Sequence, residues 1–339
     1  MRPPTAPVPC RMVLALVLAL VLAGCSPGVE GLDPHATARP APVAASTTAA
    51  APSTPPTPPA TPSTPATPAT PGEPGAPELL GSFDVGLAPE VSGIAASRRE
   101  PDLLWLVDDA TGTSQVIGVR HDGTTAAEVT VDGLDAVNLE DLAAGPCGAG
   151  DPSPCLYLAD IGDNVAGREA IAIHRIGEPA PGDTTAVATT ARYTYPSGPV
   201  DAEALVVGAD GLPIVLTKEE GTTRVMAATA FADGALVQTG QMPVPQPSSP
   251  LLTGFVGLSV TGADASHDGS RVLLRTYDSV VELTAPSPGA PLSDLAAWTA
   301  AELPAAPEGQ GEAVAYLPDG RSYVTASEGS GSLWAVSRS

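Results

Sequence analysis

One phrase occurs twice in this chain, and it constrains the fold more than any other feature. Glu203-Ala204-Leu205-Val206-Val207-Gly208-Ala209-Asp210-Gly211 runs on to Lys218-Glu219, and Glu312-Ala313-Val314-Ala315-Tyr316-Leu317-Pro318-Asp319-Gly320 runs on to Ser327-Glu328 in the same spacing. A weaker copy lies between them, where Thr261-Gly262-Ala263-Asp264 leads to Asp268-Gly269 and then to Arg275-Thr276-Tyr277. Two more precede these: Ser92-Gly93-Ile94-Ala95 leads to Leu104-Trp105-Leu106-Val107-Asp108-Asp109, and Glu140-Asp141-Leu142-Ala143 leads to Leu156-Tyr157-Leu158-Ala159-Asp160. The five units begin 48, 63, 58 and 51 residues apart. Phased self-similarity of that period, in short apolar runs broken by turn residues, is the signature of a radially repeated β-fold.

The local patterns agree. Apolar runs of strand length recur at residues 103–107, 116–119, 170–173, 214–216, 272–274 and 323–325. Between them stand Asp122-Gly123, Asp210-Gly211, Asp233-Gly234, Asp268-Gly269 and Asp319-Gly320, the dipeptide favoured in type I′ hairpin turns. Only residues 292–301 hold a helical period. The expected fold is therefore an all-β propeller of five blades, or six if the long stretches 176–200 and 222–260 hide a degenerate unit. A β-sandwich would explain the strands but not the repeat. Residues 79–84 are expected to close the ring by pairing with residues 333–336.

The first residues carry an address. Arg2 and Arg11 flank an n-region, and residues 12–23 form an apolar run too short for a membrane span but suited to export. Leu22-Ala23-Gly24-Cys25 then matches a lipobox, so residues 1–24 read as a lipoprotein signal peptide and Cys25 as the lipidated residue. Residues 25–77, rich in Pro, Ala and Thr, read as a disordered stalk that favours extended polyproline II at about 3.1 Å per residue. This places residues 78–339, the propeller domain, on the outer face of a cell membrane, held there through Cys25. Cys10 leaves with the signal. Cys147 and Cys155, with no further thiol or nearby histidine for a metal site, are expected to form a disulfide across a hairpin loop.

Charge narrows the partners. Of 38 acids and 15 bases in the chain, three of each (Glu30, Asp33, Glu73; Arg2, Arg11, Arg39) precede residue 78, so the net charge of −23 falls on the domain. Nucleic acid and anionic lipid are repelled by such a surface. Cations, small ligands and envelope proteins remain as expected partners of a monomeric domain.

In a propeller the residue opening each unit faces the central channel, which here means Ser92, Glu140, Glu203, Thr261 or Asp264, and Glu312. Three glutamates would converge, and converging carboxylates bind a cation, share protons or pair with a base. Calcium takes six to eight oxygens, and Glu140, Glu203 and Glu312, with Asp108, Asp109, Asp160, Asp163 and Asn164 at strand ends and in one loop, form the candidate metal set. Lys218 is the only lysine of the chain. With Glu219, Arg275, Tyr277 and Glu328 at corresponding strand ends it forms the candidate ligand set. No Ser-His-Asp order recommends a nucleophilic triad.

At Val91-Ser92-Gly93-Ile94-Ala95, Leu104-Trp105-Leu106-Val107-Asp108-Asp109, Tyr157-Leu158-Ala159-Asp160-Ile161-Gly162-Asp163-Asn164, Asp201-Ala202-Glu203-Ala204 and Gln310-Gly311-Glu312-Ala313-Val314-Ala315 the chain resembles exported bacterial propellers of the phytase-like, esterase-like group, actinobacterial lipoproteins above all. The resemblance spans nearly the whole domain and implies a propeller fold. As an alternative to a binding role it implies a calcium-dependent phosphoester or ester hydrolase, with the carboxylates holding metal and Lys218 and Arg275 holding the substrate anion. A third expectation is an interaction scaffold in an envelope assembly.

Overall fold

The computed structural model describes residues 72–110 and 112–338. The expected signal, Cys25 and nearly all of the stalk lie outside them. After a first strand, β1 (Glu78–Ser82), the first blade is β2 (Val91–Ala96), β3 (Leu103–Asp108), β4 (Gln115–Arg120) and β5 (Thr125–Asp132). The second is β6 (Leu139–Gly148), β7 (Asp151–Asp160), β8 (Ile171–Gly177) and, after a short β9 (Thr185–Val187), β10 (Thr189–Thr194). The third is β11 (Ala202–Val207), β12 (Pro213–Thr217), β13 (Thr222–Ala227) and, after β14 (Gly234–Ala235), β15 (Val237–Pro243). A single helical turn, α1 (Thr253–Val256), leads to the fourth: β16 (Gly262–Ala265), β17 (Arg271–Arg275), β18 (Val280–Thr284) and β19 (Thr299–Leu303). The fifth is β20 (Gly311–Tyr316), β21 (Tyr323–Ser327) and β22 (Ser332–Val336), completed by β1.

Each blade is an antiparallel meander, and β1 pairs antiparallel with β22 from Glu78 opposite Ala335 to Ser82 opposite Ser332. The ring therefore closes as expected. Five blades account for the whole domain: the stretches 176–200 and 222–260 hold no sixth. They hold outer strands, plus β9 and β14, which cross to the preceding blade and pair parallel with β5 and β10. The helical period at 292–301 resolves into a 3₁₀ segment, Leu292–Ala297, followed by β19.

Five apolar cores lie between neighbouring blades rather than in one centre. Each sheet is consequently covered on both sides, so β3, β11, β12, β20 and β21 are buried along their full length. A strand buried on both faces reads as a continuous apolar run, not an alternation. That is why these segments stood out in the sequence.

The turns differ from expectation. In Asp122-Gly123, Asp210-Gly211, Asp268-Gly269 and Asp319-Gly320 only the glycine has positive φ, between 65 and 88°. A type I′ turn would need it at the aspartate too. Each aspartate instead accepts the backbone N–H two residues on, those of Thr124, Leu212, Ser270 and Arg321, at 2.8–3.0 Å. These are Asx turns, and the side chain wins because its hydrogen bond holds the backbone right-handed before the glycine. Asp233 makes no such turn; it accepts the Arg192 N–H of the second blade.

The innermost strands β2, β6, β11, β16 and β20 form the ring around the axis, each touching the next. Side chains bond them laterally. Ser92 Oγ donates to the Leu139 carbonyl and Thr261 Oγ1 to that of Gly311, both at 2.8 Å, and Tyr316 N–H donates to Asp264 Oδ2 at 2.8 Å. At the centre, Asp141 Oδ1 accepts Leu142 N–H, while its Oδ2 accepts Leu205 N–H at 2.8 Å and Ala263 N–H at 3.1 Å. One fully buried carboxyl thus joins the second, third and fourth blades. Gly93 admits the neighbouring strand: a Cβ there would lie 2.4 Å from Leu142 N.

The disulfide Cys147–Cys155 bridges the β6–β7 hairpin. Asp141→Ala would strand three buried N–H groups, and an unsatisfied buried donor costs about 1–3 kcal/mol. Urea unfolding should show Asp141→Ala destabilised by about 3 kcal/mol or more. Asp141→Asn, which keeps an oxygen toward Leu205 and Ala263, should lose clearly less.

Candidate functional site

The bulges of the inner strands build the site. β2, β6, β11 and β20 each skip register by one residue at their start, at Ser92, Glu140, Glu203 and Glu312. A bulged residue is freed from the ladder and its side chain re-aimed. Here all four turn into the channel mouth. The fourth blade has Thr261 at the equivalent place, just before β16, whereas Asp264 lies farther along and ties β16 to β20. The second-strand ends bring Asp109, Asn164, Lys218, Tyr277 and Glu328 around the same well, with Gln310 from the loop before β20. The cavity is about 170 Å³.

Within it, Lys218 Nζ donates to Glu203 Oε1 and lies 5.5 Å from the Tyr277 ring centroid. Asn138 Nδ2 donates to Glu140 Oε1, and Gln310 Nε2 to Glu312 Oε1 at 2.9 Å. Glu203 Oε2 is buried and has no hydrogen-bond partner. Glu90, Asp108 and Asp109 also approach one another, with a carboxylate oxygen of each within 4.8 Å of the others.

Five carboxyls against one ammonium, shielded from water, cannot all ionise at ordinary pH. Burial, then the charges of Glu203 and Asp109, pushes Glu140 up to about 10. Burial raises Glu203 to about 7 despite Lys218, and Asp109, beside Glu90, to about 7. Burial and then Glu203 lift Glu312 well above the carboxylate range, and burial lifts Glu328 as well. Burial would depress the Lys218 ammonium, but Glu203 and Tyr277 more than offset it and hold the charge firmly. Burial and mutual repulsion thus favour the protonated form at these carboxyls.

Of the residues singled out in the sequence, the mouth gathers Glu140, Glu203, Glu312, Asp109, Asn164, Lys218, Tyr277 and Glu328. The others are taken up by neighbouring groups of the protein, Asp108 next to Asp109. Asp160 accepts Val137 and Asn138 N–H groups and pairs with Arg168 at 2.9 Å. Asp163 accepts Gly167 and Arg168 N–H groups, the work of a loop-holding Asx residue. Asp108 accepts the N–H groups of Glu90 and Ala110 at 2.9 Å. Glu219 is occupied by Arg224 at 2.7 Å and Thr217 at 2.6 Å. Arg275 is the clearest correction. Its side chain is sealed under β20 and paired with the equally buried Glu308 at 2.8 Å, and Gly311 leaves it room, since a Cβ there would lie 1.8 Å from Nη2. It cannot reach a ligand at the mouth. Sequence reasoning left out Asn138 and Gln310, whose only signal was standing two residues before a repeat glutamate.

No family model matches the chain, and no curated protein matches it. Solved structures similar to it include the β-propeller domain of Cps50 (Swd1) from Myceliophteria thermophila, with 12% identity over 77% of this chain and 99% of that one and a TM-score of 0.38. Another is a provisionally assigned 6-phosphogluconolactonase from Bacteroides fragilis, with 13% identity over 68% of this chain and 63% of that one and a TM-score of 0.39.

Two predictions follow from this distribution of charge. Asp264, near the far end of its strand, is also pushed up to about 7 by burial, against the Tyr316 N–H, Arg98 and the Ala265 N–H, which lower it. Carboxyls with raised folded values hold protons that the unfolded chain releases near pH 4, so their contribution to stability is full below that and is lost as pH rises through about 7. The urea midpoint should fall from pH 5 to pH 8, and Asp264→Asn should flatten part of that slope. Glu308→Ala, which leaves Arg275 buried and unpaired, should cost about 3 kcal/mol or more. Glu219→Ala, at a partly exposed pair, should cost under about 1 kcal/mol in the same unfolding assay.

Proposed function

We propose that this protein is a binding propeller whose functional end is the acidic channel mouth, and that the mouth takes a positively charged group. The observation that carries this reading is the Glu203 carboxylate, buried in a well of carboxyls with one oxygen left without a partner. Buried polar atoms in folded proteins are satisfied with few exceptions, and an exception in a residue that lines a cavity calls for an explanation, such as a bound ion. The donor set is all oxygen, as a hard cation such as calcium requires. Glu140, Glu203 and Glu312, with Asp109 and Glu328 around them, would hold it.

The lipobox ending at Cys25 and the Pro-rich residues after it support an extracytoplasmic, membrane-anchored setting. The hydrolase alternative needs a cationic side chain free to take a substrate anion. Arg275 is sealed and Lys218 is engaged by Glu203, so binding is the better supported role.

Thermal unfolding of the full chain tests the reading, with calcium, with chelator, and with lysinamide as an organic cation. A ligand at a hundredfold its Kd stabilises the native state by about 2.7 kcal/mol, a rise in Tm of roughly 5–10 °C for a domain of this size. The expected result is a saturable rise with at least one of the two cations that is lost in Glu203→Gln and kept in Glu219→Gln. No rise with either cation overturns it.

A further inference from the structure

The mouth has an apolar rim, and the rim is held in place by the turns that carry the site. The segment 251–257, between β15 and β16, exposes Leu251, Phe255 and Val256, with Phe255 88% exposed, and α1 within it buries no residue. An exposed apolar turn gains nothing from the core, yet this one is fastened at both ends. Asp278 accepts the backbone N–H groups of Leu251, Leu252 and Thr253 at 2.7–2.9 Å and the Thr253 hydroxyl at 2.7 Å. At the other end, Leu258 N–H donates to Glu220 Oε1 at 3.2 Å, and Gly221 N–H donates to the Leu258 carbonyl at 2.7 Å. Asp278 follows Tyr277, and Glu220 stands two residues after Lys218, both of which line the well. The rim segment is thus strapped to the turns of the third and fourth blades.

The same juxtaposition recurs on the second blade. Val165, 89% exposed, is adjacent in the chain to mouth-lining Asn164, and exposed Val137 is adjacent to Asn138, which donates to Glu140. Scattered surface apolar residues need no explanation. Five of the nine large exposed apolar residues among those described stand on loops that leave the mouth end of their strands.

We infer that the mouth face docks a partner protein that inserts a lysine or arginine side chain into the acidic well and lays neighbouring apolar residues on the rim of Leu251, Phe255, Val256, Val137 and Val165. This rests on the cation-binding reading above and names the carrier of the charge. Charge complementarity selects the occupant: the well sets five carboxyls against the one ammonium of Lys218, and Glu203 Oε2 has no hydrogen-bond partner. Its size agrees. At about 170 Å³ it is below the roughly 300 Å³ at which small-molecule pockets begin, yet it admits one side chain. A bare ion would leave the rim without a role. Nucleic acid and anionic bilayers are repelled, and a second copy of a chain with net charge −23 meets like charge. A desolvated cationic anchor ringed by apolar contacts is how interface energy concentrates.

The test pans a phage-displayed random-peptide library on the immobilised full chain, followed by anisotropy titration of synthesised winners. Enriched peptides should carry one lysine or arginine flanked by apolar residues. Affinity should fall about tenfold or more when that residue is replaced by norleucine, and likewise on Glu203→Gln in the protein. Phe255→Ser, at an exposed position where folding is not at stake, should weaken binding similarly. No enrichment over an unrelated coated protein, winners without a basic residue, or affinities unmoved by Glu203→Gln and Phe255→Ser would overturn the inference. If calcium or lysinamide still stabilises the chain in that case, the mouth binds free cations and only the docking partner is wrong. If neither does, both readings fail.

Discussion

A single carboxyl at the axis holds the ring together. Propeller blades pack through apolar faces, which tolerate sliding; what fixes the radial register of β6, β11 and β16 is Asp141, whose two oxygens take N–H groups from all three strands. Burial pushes that carboxyl well above the usual range, while the three N–H donors pull the other way. The lateral bonds of Ser92, Thr261 and Asp264 extend the same device around the rest of the circle. With the inner strands locked, the bulged residues at their starts, Ser92, Glu140, Glu203 and Glu312, are held at fixed places on a common rim.

That rigidity is what makes the mouth useful. Converging glutamates on a pliable scaffold would swing apart to regain water; on this ring they cannot, and the strain appears as raised proton affinity instead. Lys218 relieves one of them and leaves an oxygen of that same glutamate unused. The mouth keeps its carboxyls at a cavity, while the pair of Arg275 and Glu308 is closed to solvent, joined by one contact that leaves Arg275 Nε and Nη1 and Glu308 Oε1 buried without partners.

The repeat was legible because each blade begins with the same strand in the same surroundings, and that strand is buried on both faces. The convergence of Glu140, Glu203 and Glu312 followed from phase alone, and ring closure, expected of residues 79–84 and made by Glu78–Ser82, followed from the propeller fold. The turn type was not legible, because Asp-Gly serves both a type I′ turn and an Asx turn, and the choice lies in whether the carboxylate finds the N–H two residues on. Nor was the fate of Arg275: a repeat aligns positions along a strand, but it does not say that Gly311 vacates the space into which this side chain folds. Asp160 and Asp163 looked like ligands because loop aspartates that satisfy backbone N–H groups have the same spacing as those that hold ions. Asp141 was hidden for a simpler reason, since nothing in a sequence marks an acid as central.

The pairing of β1 with β22 has a kinetic meaning. The first strand of the domain finds its partner in β22, the last strand of the fifth blade, so the ring cannot close before that strand has been made. Until then β1 and the inner face of the first blade present unpaired edges, the kind of surface that recruits other strands. Long-range pairing of this sort also places closure late among folding events, after the entropy of a loop spanning the whole domain has been met. A ring that closes last leaves the blades free to form one by one before their circle is completed.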